Sequence, residues 1–367
     1  MERKLASIQI IDALEPIPDA DRIVRAKVMG WNVVVRKGEF KEGDRCVFFE
    51  IDAVLRAGDP WAEFMRPRKF RVKTCKLRGA LSQGLALPIG ILPEKLLVAC
   101  TVEDTSPSYT NVASTEFVAE NPREYAVGTD VAHILGVKKH IVPEHYGGAK
   151  MGTSAGSFPS HLAHRTDEIR IQSALEVLEE LKGNPFYVAV KCDGTSGTFV
   201  HDGVEFYACS RNFRKKQDDT NVYWQVVRRY NLREKLKEVP FFVVQGEICG
   251  PGIQANRLML KEIDLFVFDV YDSKAGRYLD YHEFIEFCKD HELQTVPIER
   301  VVEGDELKSF DHSLGAWLER ARGKYEGTRR NREGIVVRPL TGMHSQTLEG
   351  RLSFKVINND FLLKDEK

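Results

Sequence analysis

The stretch Tyr187-Val188-Ala189-Val190-Lys191-Cys192-Asp193-Gly194-Thr195-Ser196-Gly197 runs from an unbroken apolar segment of β character into a lysine, an acid and two turn glycines. A lysine at the end of such a strand is open to desolvation, which lowers its pKa and exposes a lone pair for attack. Taken alone, it is explained as well by a surface side chain whose stem lies along the strand while its ammonium reaches water. Its downstream company decides between the two. Gln245-Gly246-Glu247-Ile248 follows an apolar run, and Leu265-Phe266-Val267-Phe268-Asp269-Val270-Tyr271 forms the next. Arg332-Glu333-Gly334-Ile335-Val336-Val337-Arg338 and Ser353-Phe354-Lys355-Val356-Ile357 complete the set.

Outward from the lysine, Thr166-Asp167-Glu168 before an apolar-periodic stretch through Leu181 reads as a capped helix. Strands are expected near 186–191, 197–209, 241–248, 263–271 and 334–338, so this half is mixed α and β. Upstream, the Gly- and Ser-rich run Tyr146 to Ser157 has little to bury and marks a linker. Residues 101–125, rich in Thr, Ser, Glu and Pro, read as a loop or insertion. Earlier still, short β-like runs (Ala6 to Ile11, Ile23 to Val28, Trp31 to Val35, Cys46 to Ile51) broken by turns predict a small barrel. The expected division is 1–140, a linker at 141–160, and 161–367; a chain of 367 residues exceeds one ordinary core.

Composition excludes several classes. At 43% hydrophobic and 29% charged, the chain is globular rather than disordered or fibrous. Its apolar runs fall far short of the roughly 20 residues of a membrane helix, so no membrane partner is expected. The beginning Met1 to Ile8 lacks an apolar signal core, and a cytoplasmic location is expected. Seven cysteines without a C-x-x-C pair point to reduced thiols rather than a disulfide framework or a zinc cluster. A net charge of −1 offers a polyanion no global attraction, so nucleic-acid binding must be local. The candidate patch is Arg66, Arg68, Lys69, Arg71, Lys73, Lys76 and Arg78, without an acid among them. Trp31, Phe64 and Phe70 are candidates for base stacking beside it.

In order and character, the segments from Thr166 to Asn358 resemble the nucleotidyltransferase motifs of the covalent ligase and capping-enzyme superfamily, whose first motif is K-x-D-G, matched at Lys191 to Gly194. Thr166 to Gln172, Ser210-Arg211-Asn212 and Gln245 to Gln254 resemble RNA ligases rather than DNA ligases. The Pro16 to Arg22 turn, Gly30-Trp31, Gly43-Asp44 and Arg78 to Gly84 resemble OB-type tRNA-binding modules. An OB domain before the transferase domain is similar to the nick-sealing RNA ligases of the Deinococcus and Naegleria type. The resemblance implies an α+β protein: an N-terminal OB-like β-barrel, then a mixed α/β adenylyltransferase domain of ATP-grasp-like ligase type.

The same resemblance implies roles. Lys191 takes AMP from ATP, with Lys355 and Arg211 as catalytic cations, and with Lys355, Arg211 and a metal depressing the lysine's pKa. Arg170, Gln172, Val190, Lys191, Arg211, Glu247, Phe268 and Lys355 form the ATP site, with Phe266 an alternative to Phe268 for stacking on adenine. Asp193, Glu247 and Glu333 hold Mg²⁺ or Mn²⁺, for which hard oxygen ligands suit. Many relatives carry a lysine where this chain has Ser353, which leaves Lys364, Arg338 or nothing as the second cation. The implied partner is RNA, as ends, a nicked duplex or an RNA/DNA hybrid, bound by a monomer. A DNA ligase or an mRNA guanylyltransferase of the superfamily is the alternative, though both ordinarily carry the OB domain after the transferase motifs and only nine residues follow Asn358. A non-catalytic RNA-binding protein is a further one, opposed by the intact Lys191, Asp193, Glu247, Glu333 and Lys355.

Overall fold

Lys191 ends one strand of a five-stranded sheet, and four residues later the chain enters a seven-stranded sheet at Thr195. The computed structural model describes residues 3–102, 114–140, 154–165 and 167–363. The five-stranded sheet is ordered Ile169–Arg170, Phe354–Ile357, Gly334–Pro339, Phe186–Lys191, Ile298–Val302. The seven-stranded sheet is ordered Ser154–Ser157, Phe213–Lys215, Phe206–Ser210, Thr195–His201, Phe242–Cys249, Asp264–Asp272, Arg277–Tyr278. Register then places the charged residues: Lys191 opposes Gly334, the neighbour of Glu333, and Ser196 opposes Glu247. Residues 192–194 thus join the ends of both sheets. Only glycine fits at 194, where a Cβ would meet the Ile248 carbonyl oxygen at 2.3 Å.

The alternating apolar strands build separate cores around the two sheets. Phe199, Val244, Leu265 and Val267 pack with Trp224 and Phe287 from the helices Val222–Arg229 and Tyr281–Asp290. Phe186, Val188, Ile335, Val337 and Phe354 pack on Trp317 of Leu314–Arg320. The longest of these helices starts with a capping box, Asp280 and Glu283 satisfying each other's backbone donors.

The chain divides into two compact units, Glu2–Val142 and Pro143–Lys367. In the first, Ala6–Ile10, Arg45–Phe49 and Leu85–Pro88 form one antiparallel sheet, and Ala13–Pro16, Ile23–Val28 and Trp31–Arg36 another. Phe48 and Trp31 meet in its core, and Gly84 passes so close to Phe48 that a Cβ would lie 2.5 Å from the ring. Trp31 is therefore no stacking platform: it is 1% exposed, because it sits on the inward face of its strand.

Four expectations change in detail. The helix expected from Asp167 to Leu181 shrinks to Val177–Leu181, because Ile169 and Arg170 pair in parallel with Phe354 and Lys355 and sheet pairing overrides local propensity. Thr166 lies outside the described residues. The run 197–209 is a hairpin, turned where Asp202 accepts the backbone N–H groups of Val204 and Glu205 at 2.8 and 2.7 Å. Of the loop or insertion expected at 101–125, residues 103–113 lie outside the described residues, and the flanking strands Leu96–Val102 and Ser114–Glu120 pair as an antiparallel ribbon. Much of the expected linker, 141–153, lies outside the described residues, whereas Ser154–Ser157 is an edge strand and Phe158 is buried. Among the described residues no helix is long and apolar enough to cross a membrane.

Candidate active site

A cleft of about 380 Å³ opens where the two sheets' strand ends meet. Val190, Lys191, Glu247, Phe268, Glu333, Lys355 and Arg211 all line it. The Lys191 ammonium donates to Glu333 Oε2 at 3.0 Å. Burial alone would lower this lysine's pKa, but Glu333 and Glu247 outweigh burial and hold it above its usual range. With the side chains alone the nearest charges are carboxylates and the lysine rests as an ammonium; the depressed pKa expected of it requires the metal as well.

The carboxylates are in excess over their counter-charge. Burial pushes Glu247 up to about 7, reinforced by Glu333 and Asp193 against the pull of Lys191 and the Gly194 N–H. Burial and Glu333 likewise raise Asp193, which Arg257 holds at 3.3 Å. Such a set suits a divalent cation, since hard oxygen donors with unspent negative charge are what Mg²⁺ and Mn²⁺ take. It is not a preformed cage: among the described residues no three His, Cys, Asp or Glu side chains come together as a metal site. Asp193 is drawn to Arg257 and Glu333 to Lys191, so the expected Asp193, Glu247 and Glu333 set is one whose coordination phosphate oxygens and waters would complete.

On the other side of the cleft two cations converge. Arg211 Nη2 lies 2.6 Å from Asp167 and Lys355 Nζ 3.5 Å from the same carboxylate. Burial and the charges of Lys191 and Arg170 lower the pKa of Lys355 against the opposing Asp167. Arg170 stays outside the cleft lining but opposes Lys355 in the sheet register. Gln172 is not brought to the cleft: it is 1% exposed in the 3-10 turn Ile171–Ser173, packed beside the core residue Ile171. Of the two candidate aromatics, Phe266 is buried in the core and Phe268 lines the cleft, a β-bulge at Gln245/Gly246 shifting their register. The cation beside Ser353 is Arg338, whose Nε donates to Ser353 Oγ at 3.1 Å. Lys364 lies outside the described residues.

In the first unit, Arg68, Lys69, Lys73, Lys76 and Arg78 are exposed, as is Arg66 although it pairs with Glu63. Arg71 is committed elsewhere, ion-paired to Asp52 at 2.6 Å where it bridges to Val54. Phe64 is 53% exposed and remains a stacking candidate; Phe70 packs against the core.

Sequence reading missed Arg257, Tyr325, Glu168 and Arg338's central place. None carries a local signal, since each acts through partners distant in the chain.

A buried lysine between carboxylates, facing Arg211 and Lys355 across a cleft at the ends of two sheets, is the arrangement that a nucleotidyltransferase of nucleic-acid-joining type requires. Residues 184–357 match the family model described as RNA ligase, and residues 5–89 match an OB-fold domain model. The chain belongs to the RNA ligase family, as an enzyme with an N-terminal OB-fold domain and a mixed α/β ligase domain. It is similar to Naegleria gruberi RNA ligase with PPi at 32% identity, covering 99% of this chain and 99% of that one, with a TM-score of 0.71. A glutamate-to-alanine mutant of that ligase with ATP and Mn matches at 31% identity, 100% of both chains and a TM-score of 0.73. Another with AMP and Mn matches at 31% identity, 99% of both chains and 0.74. No curated protein matches the chain.

The raised Glu247 pKa carries a stability prediction. Between the ordinary glutamate value of 4.5 and about 7 the native state keeps a proton that the unfolded chain releases, so ionising this glutamate costs stability as pH rises and the whole cost is present above about 7. Glu247→Gln is therefore expected to raise the melting temperature at pH 8 by the equivalent of about 1–3 kcal/mol, and by much less at pH 4.5, while abolishing adenylation. Thermal scans at both pH values check it; an equal shift at both would remove the electrostatic cause.

Proposed function

We propose that the enzyme is an ATP-dependent RNA ligase in which Lys191 is the AMP acceptor. The Lys191 amine attacks the α-phosphorus of ATP, forming the N–P bond of a lysyl phosphoramidate and releasing pyrophosphate. AMP then passes to the 5′-phosphate of RNA, and a 3′-hydroxyl attacks that phosphate, forming the phosphodiester and expelling AMP. The carrying observation is the Lys191 ammonium held between Glu333 and Glu247 in a cleft whose far wall presents Arg211 and Lys355. ATP and AMP with Mn in the similar Naegleria ligase structures support this donor.

Within this reading Arg211 and Lys355 receive the phosphates, where a guanidinium fork and an ammonium now share the Asp167 carboxylate. Arg170 supports Lys355, Phe268 covers the base, and backbone at Val190 faces it. Asp193, Glu247 and Glu333 would hold Mg²⁺ or Mn²⁺, which offsets phosphate and carboxylate charge and so favours the neutral lysine. Residues 1–140 act as the OB domain and the residues from Ser154 onward, whose edge strand joins the seven-stranded sheet, as the adenylation domain. The exposed basic residues Arg66, Arg68, Lys69, Lys73, Lys76 and Arg78 grip the RNA backbone electrostatically. The substrate is a nicked duplex, RNA or RNA/DNA hybrid, bound by a cytoplasmic monomer.

The test is incubation with ATP labelled at the α-phosphate and Mg²⁺ or Mn²⁺, then denaturing electrophoresis. Label on the wild-type chain is expected, stable to alkali and lost in acid, as a phosphoramidate is. In parallel, nicked duplexes differing only in ribose or deoxyribose at the 3′-hydroxyl are sealed. Preference for ribose is expected, since the 2′-hydroxyl is what distinguishes the strands; equal sealing removes RNA selectivity at that position.

A further inference from the structure

Beneath Lys191 lies a side chain that the chemistry above does not use. The Tyr325 hydroxyl donates to the backbone carbonyl of Lys191 at 2.8 Å and accepts the backbone N–H of Glu333 at 3.2 Å. One oxygen thus ties the residue that carries the amine to the residue whose carboxylate holds it. These two residues are 142 positions apart in the chain and meet at the end of their strand pair, where Lys191 opposes Gly334 and the ladder stops. Beyond that point the sheet no longer sets their spacing.

The tyrosine is itself rigidly presented. Its ring is 5% exposed, and its backbone closes a tight loop in which Tyr325 N–H donates to Arg330 O at 3.0 Å and Thr328 N–H donates to Tyr325 O at 3.1 Å. The loop is moored at its base by Arg332, which is buried, paired with Glu299 at 2.8 Å, and donates to the carbonyls of Ala321 and Arg322 at 3.2 and 2.9 Å. Asn358 adds a second mooring, its side-chain amide donating to the Gly323 and Arg332 carbonyls at 3.3 and 3.0 Å and its backbone N–H to the Glu333 carbonyl at 2.9 Å. A hydroxyl buried only for packing would need one partner; this one bridges two strand ends, both at the reacting site.

We propose that Tyr325 is a positioning residue for lysine adenylation: its hydroxyl sets the separation of Lys191 and Glu333 and so aims the amine at the α-phosphorus. It is absent from the cleft wall and reaches the reacting residues through these two backbone bonds. Its effect therefore falls on the rate of the step rather than on ATP affinity, since a small misplacement of an attacking atom is costly while the phosphate and base contacts stay.

This inference rests on Lys191 being the AMP acceptor, and the experiment separates the two. Single-turnover labelling with α-labelled ATP is followed for wild type, Tyr325→Phe and Lys191→Ala across ATP concentrations, with melting temperatures measured alongside. Tyr325→Phe keeps the buried ring and loses only the hydroxyl. It is expected to label to the wild-type endpoint at a maximal rate lowered about tenfold or more, with half-saturating ATP within about twofold of wild type. Tyr325→Phe labelling at the wild-type rate, or slowed only through weaker ATP binding, overturns the proposal while leaving Lys191 as acceptor. A slow rate that recovers fully on cooling in step with a lowered melting temperature overturns it too, as a folding effect. Label on Lys191→Ala overturns the acceptor assignment and this proposal with it.

Discussion

Lys191→Ala is expected to lose self-adenylation entirely and to seal 5′-phosphate ends at less than about a thousandth of the wild-type rate, as removal of a covalent nucleophile does. Lys191→Arg is expected to be equally inactive. The guanidinium keeps the positive charge between Glu333 and Glu247 but does not deprotonate, so it has no lone pair to offer. The comparison separates two roles for residue 191, charge partner and nucleophile. If the arginine variant labels, AMP is carried elsewhere and Lys191 is not the acceptor. RNA already carrying AMP on its 5′-phosphate bypasses the lysine's attack, so Lys191→Ala is expected to retain sealing of that substrate while losing it on the plain phosphate. Gel assays of the two substrates with one enzyme preparation check this and control for folding.

The second large effect is on stability and centres on Arg338. This arginine is 2% exposed, yet its guanidinium donates to Glu168 at 2.7 Å, to the Phe268 carbonyl at 2.9 Å and to Ser353 Oγ at 3.1 Å, with Asp269 at 3.6 Å. Arg351 reaches Asp269 from the other side. Arg338→Met fills the space but takes the counter-charge from half-buried Glu168 and weakens that of buried Asp269, which costs about 3–5 kcal/mol when one partner of a buried set is removed. A melting temperature lower by about 10 °C is expected for a domain of this size. Burial would raise the Glu168 pKa, but Arg338 and Ser353 outweigh it and hold the carboxyl below its usual value. In the wild type that contribution is present above the unfolded pKa and is lost as pH falls through the folded one. The variant lacks it, so the gap between the two proteins should narrow as pH falls from 7.5 toward 4. Arg338→Met with Glu168→Gln should recover part of the loss. A gap independent of pH, or no recovery in the double variant, would show that shape and not charge is responsible. Adenylation should also slow, because the Phe268 backbone loses its anchor beneath the cleft.

The place of Arg338 also shows where sequence reading ended. Ser353 stood out as a departure from the lysine that relatives carry, with Arg338 one of three candidates to answer for it. In the structure Arg338 stands against Ser353 but is spent on half-buried Glu168 and buried Asp269, so it stabilises the wall of the site rather than offering a free charge.

What the sequence determined by itself was what local pattern encodes. Apolar β runs ending in Lys191, Glu247 and Lys355 were visible because strand alternation and turn glycines are local properties, and their order along the chain is that of a nucleotidyltransferase. The N-terminal β unit was legible for the same reason. Tertiary structure decided everything that depends on which strand ends meet. A parallel pairing with Phe354 and Lys355 turned a predicted helix start into a strand. Inward orientation took Trp31 and Gln172 from the roles their types suggested and buried them. Proximity of Glu333 and Glu247 makes the side chains alone raise the Lys191 pKa. Burial and neighbouring charge set the electrostatics of a site, and neither is written in any one segment: Lys191 rests as an ammonium because residues 56 and 142 positions away fold against it.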